Sequence, residues 1–146
     1  MKLEDYETYK KDKTKSSKSK LKDLINTYIE INNKLTNENS IELYVVKKNI
    51  KETYQEEIYF SLIDEGEKLV RFNVNEKSKD YFIPIFTDIE EFNEGLEKIS
   101  KLFLDKLELK ELDPEDIRKI ASGDENFQGV IINPHSQNFS FDLDSL

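Results

Sequence analysis

The sequence predicts an α+β domain in which helices pack on a mainly antiparallel or mixed sheet. Apolar residues recur at helical spacing in three stretches and alternate with polar ones between them. The two patterns mix without the strict alternation that specifies a doubly wound parallel sheet. The predicted order is α-β-β-β-β-α-β-α-β-β.

The first helix is read from Leu21, Leu24, Ile25, Tyr28, Ile29 and Leu35, which share one apolar stripe, with Ile31 at its margin. Ser17 or Ser19 is its expected cap, and "TNENS" at 36–40 its end. "IELYVV" at 41–46 has strand composition. "EIYFSLIDEGEKLVRFNVN" at 57–75 reads as a hairpin bent at "DEG": Ile58, Phe60 and Leu62 alternate on one arm, Val70, Phe72 and Val74 on the other. "YFIPIF" at 81–86 is the fourth strand. Pro84 has no amide donor, so it must face away from a ladder partner or sit at a bulge.

"TDIE" then predicts a capping box of Thr87 with Glu90, opening a helix whose apolar face is Ile89, Phe92, Leu96, Ile99 and Phe103, with Gly95 as an interruption. "KLELK" at 106–110 returns to strand alternation. In "DPEDIRKIASG", Asp113 caps, Pro114 takes the first helical position and Gly123 supplies a left-handed stop. "GVIINP" and "NFSFDL" close the chain as strand, turn, strand. The run Val130, Ile131, Ile132 predicts burial on both faces.

Length and charge bound the function. The 146 residues suit one domain over 19–146 behind a Lys/Ser-rich tip over 1–18, which is expected to be disordered. Residues 1–22 hold eight lysines against four acids; with a net charge of −9 for the chain, residues 23–146 carry −13. Such a body repels phosphate backbones and favours solubility or a basic partner, so a protein partner is expected and no nucleic acid. There are no cysteines, which removes disulfides and thiolate metal sites and suits the cytoplasm. No apolar run suggests a signal peptide or membrane contact. Oligomeric state has no signature.

His135, the only histidine, is the natural suspect for acid–base work, with Ser136 beside it. Adjacency in sequence does not bring that hydroxyl to the imidazole, and no carboxylate is identified to orient the ring. "NPHS" is turn chemistry, and an exposed turn residue is expected to contribute little to stability. Asp88, Glu90 and Glu91 are accounted for by the positive end of a helix dipole, and Asp64, Glu65 and Glu67 by a turn around Gly66. No calcium loop, phosphate-binding glycine pattern, catalytic set, metal set or cofactor motif is present.

Two segments in register carry a resemblance. "YFIPIFTDIEEF" at 81–92 runs from strand through Phe-Thr into an acidic helix, and "GVIINPHSQNFSF" at 129–141 is a Gly-led strand ending in Asn-Pro. Together they resemble the N-terminal domain of the SseB-type, or enhanced serine sensitivity, family over about residues 41–143. The matching positions are Pro84, Phe86, Thr87, Glu91, Gly129, Asn133 and Pro134. The resemblance implies an α+β, often bacterial and cytoplasmic domain with no established reaction, and a structural role for those residues as strand exit, helix cap and hairpin turn. His135 stands where that family tends to carry a large apolar residue. The expected function is a non-enzymatic protein-interaction module acting through an acidic surface. A toxin-neutralising immunity protein is the alternative, and a hydrolase using His135 a further one.

Overall fold

The computed structural model describes residues 19–34, 36, 38–100 and 106–145; the predicted tip over 1–18, Leu35 and Phe103 lie outside them. The architecture is α+β. In chain order the elements are α1 (Lys20–Asn33), α2 (Ser40–Tyr54), β1 (Tyr59–Ile63), β2 (Phe72–Asn73), β3 (Tyr81–Ile85), α3 (Ile89–Ser100), β4 (Glu108–Leu112), α4 (Pro114–Gly123), β5 (Phe127–Ile132), β6 (Phe139–Asp142) and a closing 3-10 turn, Leu143–Ser145.

The first predicted strand is the correction. Residues 41–46 belong to α2, not to a sheet. Ile41, Tyr44, Val45 and Val46 are β-prone and read in isolation as a strand, but the deciding spacing is longer. Val46, Ile50 and Tyr54 recur every four residues and are the buried face, while Lys47, Lys48, Lys51 and Glu52 between them are good helix formers. Packing of that face against α1 overrides the local β preference.

In α1, Ser19 is the cap: its Oγ accepts from Lys22 N at 3.1 Å. The same hydroxyl donates to Glu57 Oε1 at 2.6 Å, and Leu21 N donates to Glu57 Oε2 at 3.0 Å. A carboxylate from the start of β1 thus occupies the positive end of α1. Leu21 and Ile25 are fully buried beneath it.

Six strands form a two-stranded sheet, β1-β4, and a four-stranded sheet, β2-β3-β5-β6. All pairings are antiparallel except β3 with β5. The sheets meet where Phe60 and Phe86 exchange backbone hydrogen bonds of 3.0 and 2.8 Å. The predicted 57–75 hairpin closes only at its bend. Asp64 Oδ1 accepts from Gly66 and Lys68 amides, and Val70 N reaches Leu62 O at 2.9 Å. The second arm then leaves β1 to pair with β3, and Phe86 takes the place opposite Phe60 on that edge of β1, while β4 pairs along the other edge. Every residue of β1 is buried, and Ile58, expected on its apolar face, is exposed. Pro84 fits a position off the β2 ladder, which reaches only Tyr81 and Phe82. Its carbonyl accepts from the buried Ser61 hydroxyl at 2.7 Å.

Two apolar clusters flank this framework. One lies under α1, α2 and α4, around Tyr54, Tyr59, Ile85, Ile117, Phe127 and Ile132. The other lies under α3, around Phe60, Leu62, Phe86, Phe92 and Leu109. Asp113 caps α4, as its place before Pro114 predicts, and also shares a capping box with Asp116. Gly123 is not a left-handed stop. It is the last helical residue, and Asp124 N closes the helix on Ile120 O at 3.1 Å. The left-handed glycine is Gly129 instead (φ 148°), where a Cβ would meet Phe141 O at 2.3 Å.

Gly95 does not interrupt α3; it makes room for Phe86. A Cβ there would stand 2.2 Å from Phe86 Cε1, and that ring is fully buried and has nowhere to move. Gly95→Ala gains about 1 kcal/mol of helix propensity but costs about 1–3 kcal/mol in overpacking. The expected net result is a lower urea midpoint. A raised midpoint would show that the ring can yield.

Buried tyrosines set the alkaline limit of the fold. Burial pushes Tyr81 up to about 12, helped by its hydrogen bond to Asp124 Oδ2 at 2.7 Å, and pushes Tyr54 and Tyr59 higher still. A folded value raised above the unfolded one gives stability that is complete below about pH 10 and lost as pH rises toward the folded values. Urea midpoints should hold from pH 8 to about 10 and fall beyond it, with a shallower fall in Tyr81→Phe. A flat profile to pH 11 would contradict this.

Candidate functional site

The parallel pairing of β3 with β5 sends both strands out at the same end of the sheet. Beyond β3 comes the start of α3; beyond β5 comes the turn Asn133–Asn138. Asn133 N donates to Ile85 O at 2.9 Å, extending the ladder one residue past β5. Asn133 then turns left-handed (φ 49°), a conformation Asn tolerates. Ser136 N and Asn138 N fold back onto its carbonyl at 3.0 and 2.8 Å.

The Asn133 side chain is fully buried and joins the two exits. Its Oδ1 accepts from Thr87 N at 3.1 Å; its Nδ2 donates to Thr87 Oγ1 at 3.0 Å and to Gln137 Oε1 at 2.8 Å. Gln137 Nε2 in turn donates to Lys22 O and Asn26 Oδ1, both at 2.8 Å, which fastens the turn to α1. Thr87 is therefore a bridge, not the helix cap that "TDIE" predicts. The cap is one residue later: Asp88 Oδ1 accepts from Glu91 N at 2.8 Å, and Asp88 O takes the first helical bond, from Phe92 N. The Glu90 side chain is exposed and plays no part in it.

Glu91 turns inward. Its carboxylate is 8% exposed and meets Lys22 Nζ through Oε1 at 3.0 Å. Its Oε2 accepts from Ser136 Oγ at 2.8 Å and lies 2.9 Å from His135 Nε2. Lys22 Nζ also pairs with Asp88 Oδ2 at 3.2 Å. Burial works against the Lys22 charge, but Glu91 and Asp88 together outweigh it and hold that amine above its ordinary value. Glu94, one turn further along α3, brings its Oε2 to 3.2 Å from His135 Nε2.

His135 is thus not the exposed turn residue the sequence suggests. Its side chain is 6% exposed, with the ring 5.9 Å from that of Phe86. It takes the place an apolar residue would fill against α3. Two carboxylates that the sequence does not single out as partners of the ring face Nε2. Neither gives an aligned hydrogen bond, and Nδ1 and Nε2 are both buried without a hydrogen-bond partner. The short contacts are therefore electrostatic and lie off the N–H direction. Ser136 donates to Glu91, not to the imidazole, so the pair is not built as a serine nucleophile and its base.

Of the positions that carry the sequence resemblance, Phe86, Thr87, Glu91, Asn133 and Pro134 gather at this junction. Pro84 lies inside β3 and Gly129 inside β5. Glu94, Lys22 and Gln137 had no sequence signal as site residues. The i, i+3 spacing of Glu91 and Glu94 marks a shared helix face, but nothing local brings His135 to it. Asp64, Glu65 and Glu67 remain a surface turn. A polar groove between α1 and α2, about 410 Å³ and lined by Lys20, Asp23, Leu24, Asn49, Glu52, Thr53 and Glu56, shares no residue with the junction.

No protein-family model, curated protein or solved structure matches the chain.

Asn133→Ala removes the acceptor of the buried Thr87 amide and replaces a residue type that tolerates a left-handed φ with one that does not. The first effect costs roughly 1–3 kcal/mol and the second about 1–2 kcal/mol. A urea midpoint lowered by that combined amount is expected, whereas Asn133→Gly, which loses the same bonds but takes a positive φ without strain, should lose less. Equal losses would mean that the backbone conformation carries no cost.

Proposed function

We propose that the chain is a non-enzymatic protein-interaction module of SseB-like build, with α2 as its contact surface and the acidic body as the source of steering. The observation that carries this reading is the outer face of α2. Ile41, Tyr44 and Val45, at i, i+3 and i+4, are 76%, 69% and 48% exposed. Isolated exposed apolar residues are ordinary, but three on one helical face form a patch of the kind that docks a partner. Tyrosine is among the residues that anchor interfaces. The neighbouring Glu42, Lys47 and Lys48 are exposed and supply a polar rim.

Charge favours a basic partner, given the −13 carried by residues 23–146. The resemblance to the SseB-type family supports the same class. The two segments that carry it, 81–92 and 129–141, are joined here by the Asn133–Thr87 and Ser136–Glu91 contacts. No helix among the described residues is long and apolar enough to cross a membrane.

The test uses the full chain as bait. Ile41→Glu, Tyr44→Glu and Val45→Glu together should abolish capture of whatever wild type retains from a native lysate. The melt should stay near wild type, since exposed substitutions usually act within about 0.5 kcal/mol each. Association of the captured partner should slow as salt rises. Unchanged capture by the triple variant would sink the reading. A concentration-dependent dimer that the variant loses would redirect it to self-association.

A further inference from the structure

We infer that His135 Nε2, Glu91 Oε2 and Glu94 Oε2 form a binding site for zinc or a similar first-row divalent metal ion. The three atoms lie within 4.8 Å of one another, with Nε2 2.9 Å from one oxygen and 3.2 Å from the other. Donors held about 2.0–2.2 Å from one ion at angles near 90–109° stand about 2.9–3.4 Å apart. Both spacings from Nε2 to the oxygens fall in that range.

Direction separates this from a plain ion pair. An imidazolium paired with a carboxylate points its N–H at the oxygen, whereas here neither oxygen takes an aligned hydrogen bond from Nε2. Oxygens beside the Nε2 axis are what an ion on that axis would gather. A buried ring nitrogen with no hydrogen bond is costly, and metal ligation by its lone pair removes that cost.

The surroundings fit a dication. Asp88, Glu91 and Glu94 bring three negative charges and Lys22 one positive, leaving −2. Lys22 occupies Glu91 Oε1, and Ser136 donates to Oε2, orienting the carboxylate as hydrogen bonds to metal-ligating carboxylates do. Glu91 and His135 are deep while the Glu94 side chain is 64% exposed, so the ion would enter past Glu94 with solvent completing its coordination. One imidazole with two carboxylates suits zinc, iron, cobalt or nickel, whereas calcium wants six to eight oxygens. The usual hydrogen bond on the far ring nitrogen is missing at Nδ1; the ring is oriented by packing on Phe86 instead.

The test is made on the untagged full chain after chelator treatment, with zinc chloride as the probe. His135 is the only histidine, so its two ring ¹⁵N resonances report the site without ambiguity. Zinc should shift the Nε2 resonance saturably at one equivalent, and calorimetry should give the same stoichiometry. Calcium at equal concentration should leave it unmoved. Glu94→Gln, on an exposed side chain that the fold does not need, should weaken zinc binding by at least about tenfold. Glu90→Gln on the same helix should leave it unchanged. An Nε2 resonance unmoved by excess zinc, or wild-type affinity in Glu94→Gln, would overturn the site in favour of an imidazolium–carboxylate cluster.

Discussion

The constraint on which the junction depends is the parallel pairing of β3 with β5. Antiparallel neighbours leave a sheet at opposite ends, but parallel neighbours leave at the same end. The residues that follow β3 and β5 must therefore share one edge, although Thr87 and Asn133 are 46 positions apart. The chain between them, α3, β4 and α4, supplies the crossover that a parallel pair requires. Once the two exits are adjacent, each has backbone groups that the ladder no longer serves. The Asn133 amide is suited to this because it offers an acceptor to the Thr87 N–H and a donor to the Thr87 hydroxyl. A carboxylate lacks the donor, and an apolar side chain would leave both groups unpaired.

The same geometry explains how Glu91 is held among side chains. At the third position of α3 its backbone amide is already satisfied by Asp88. Its carboxylate is free to turn toward the β5–β6 turn instead of back to the cap. Burying a carboxylate is costly unless its charge and lone pairs are met. Lys22 meets one oxygen, and Ser136 and His135 face the other. These partners come from α1 and from the turn, so the buried charge is met only when three separate parts of the chain are docked. Position in the helix explains the exposed Glu90 through the dipole; it does not explain an inward Glu91.

What could be read from the sequence follows this division between local and nonlocal causes. Ser19, Asp113, Pro114 and the Asn133–Pro134 turn act on neighbours within a few positions, so their roles are visible in short windows. The α3 cap was displaced by one residue because Thr87 and Asp88 are both capping types; the choice was made by Asn133, which claims the threonine. The segment 41–46 reads as a strand because Ile41, Tyr44, Val45 and Val46 are β-prone; the spacing of its buried face, which starts at Val46, shows only when Ile50 and Tyr54 are included. β2 leaves the predicted hairpin where Phe86, distant in sequence, pairs with Phe60 on the hairpin edge of β1. His135 was least legible. Its burial depends on Phe86 and α3, and the two carboxylates at its ring lie across a strand pairing that no local pattern encodes.

α1 links the two surfaces to which function is assigned. Its apolar side packs with α2, whose opposite face carries Ile41, Tyr44 and Val45. Its first turns hold Lys22 against Glu91 and Asp88, and Lys22 O and Asn26 against Gln137. A ligand at one surface affects the other only if it favours one arrangement of a shared element over another. The contacts of α1 argue against a second arrangement. Leu21 and Ile25 are fully buried, Glu57 grips the helix start through two hydrogen bonds, and Gln137 grips the next turn through two more. Shifting α1 would break all of these at once, so the junction and the α2 patch are rigidly placed relative to α1. The physical basis for treating them as independent sites is that the helix between them is pinned from both sides.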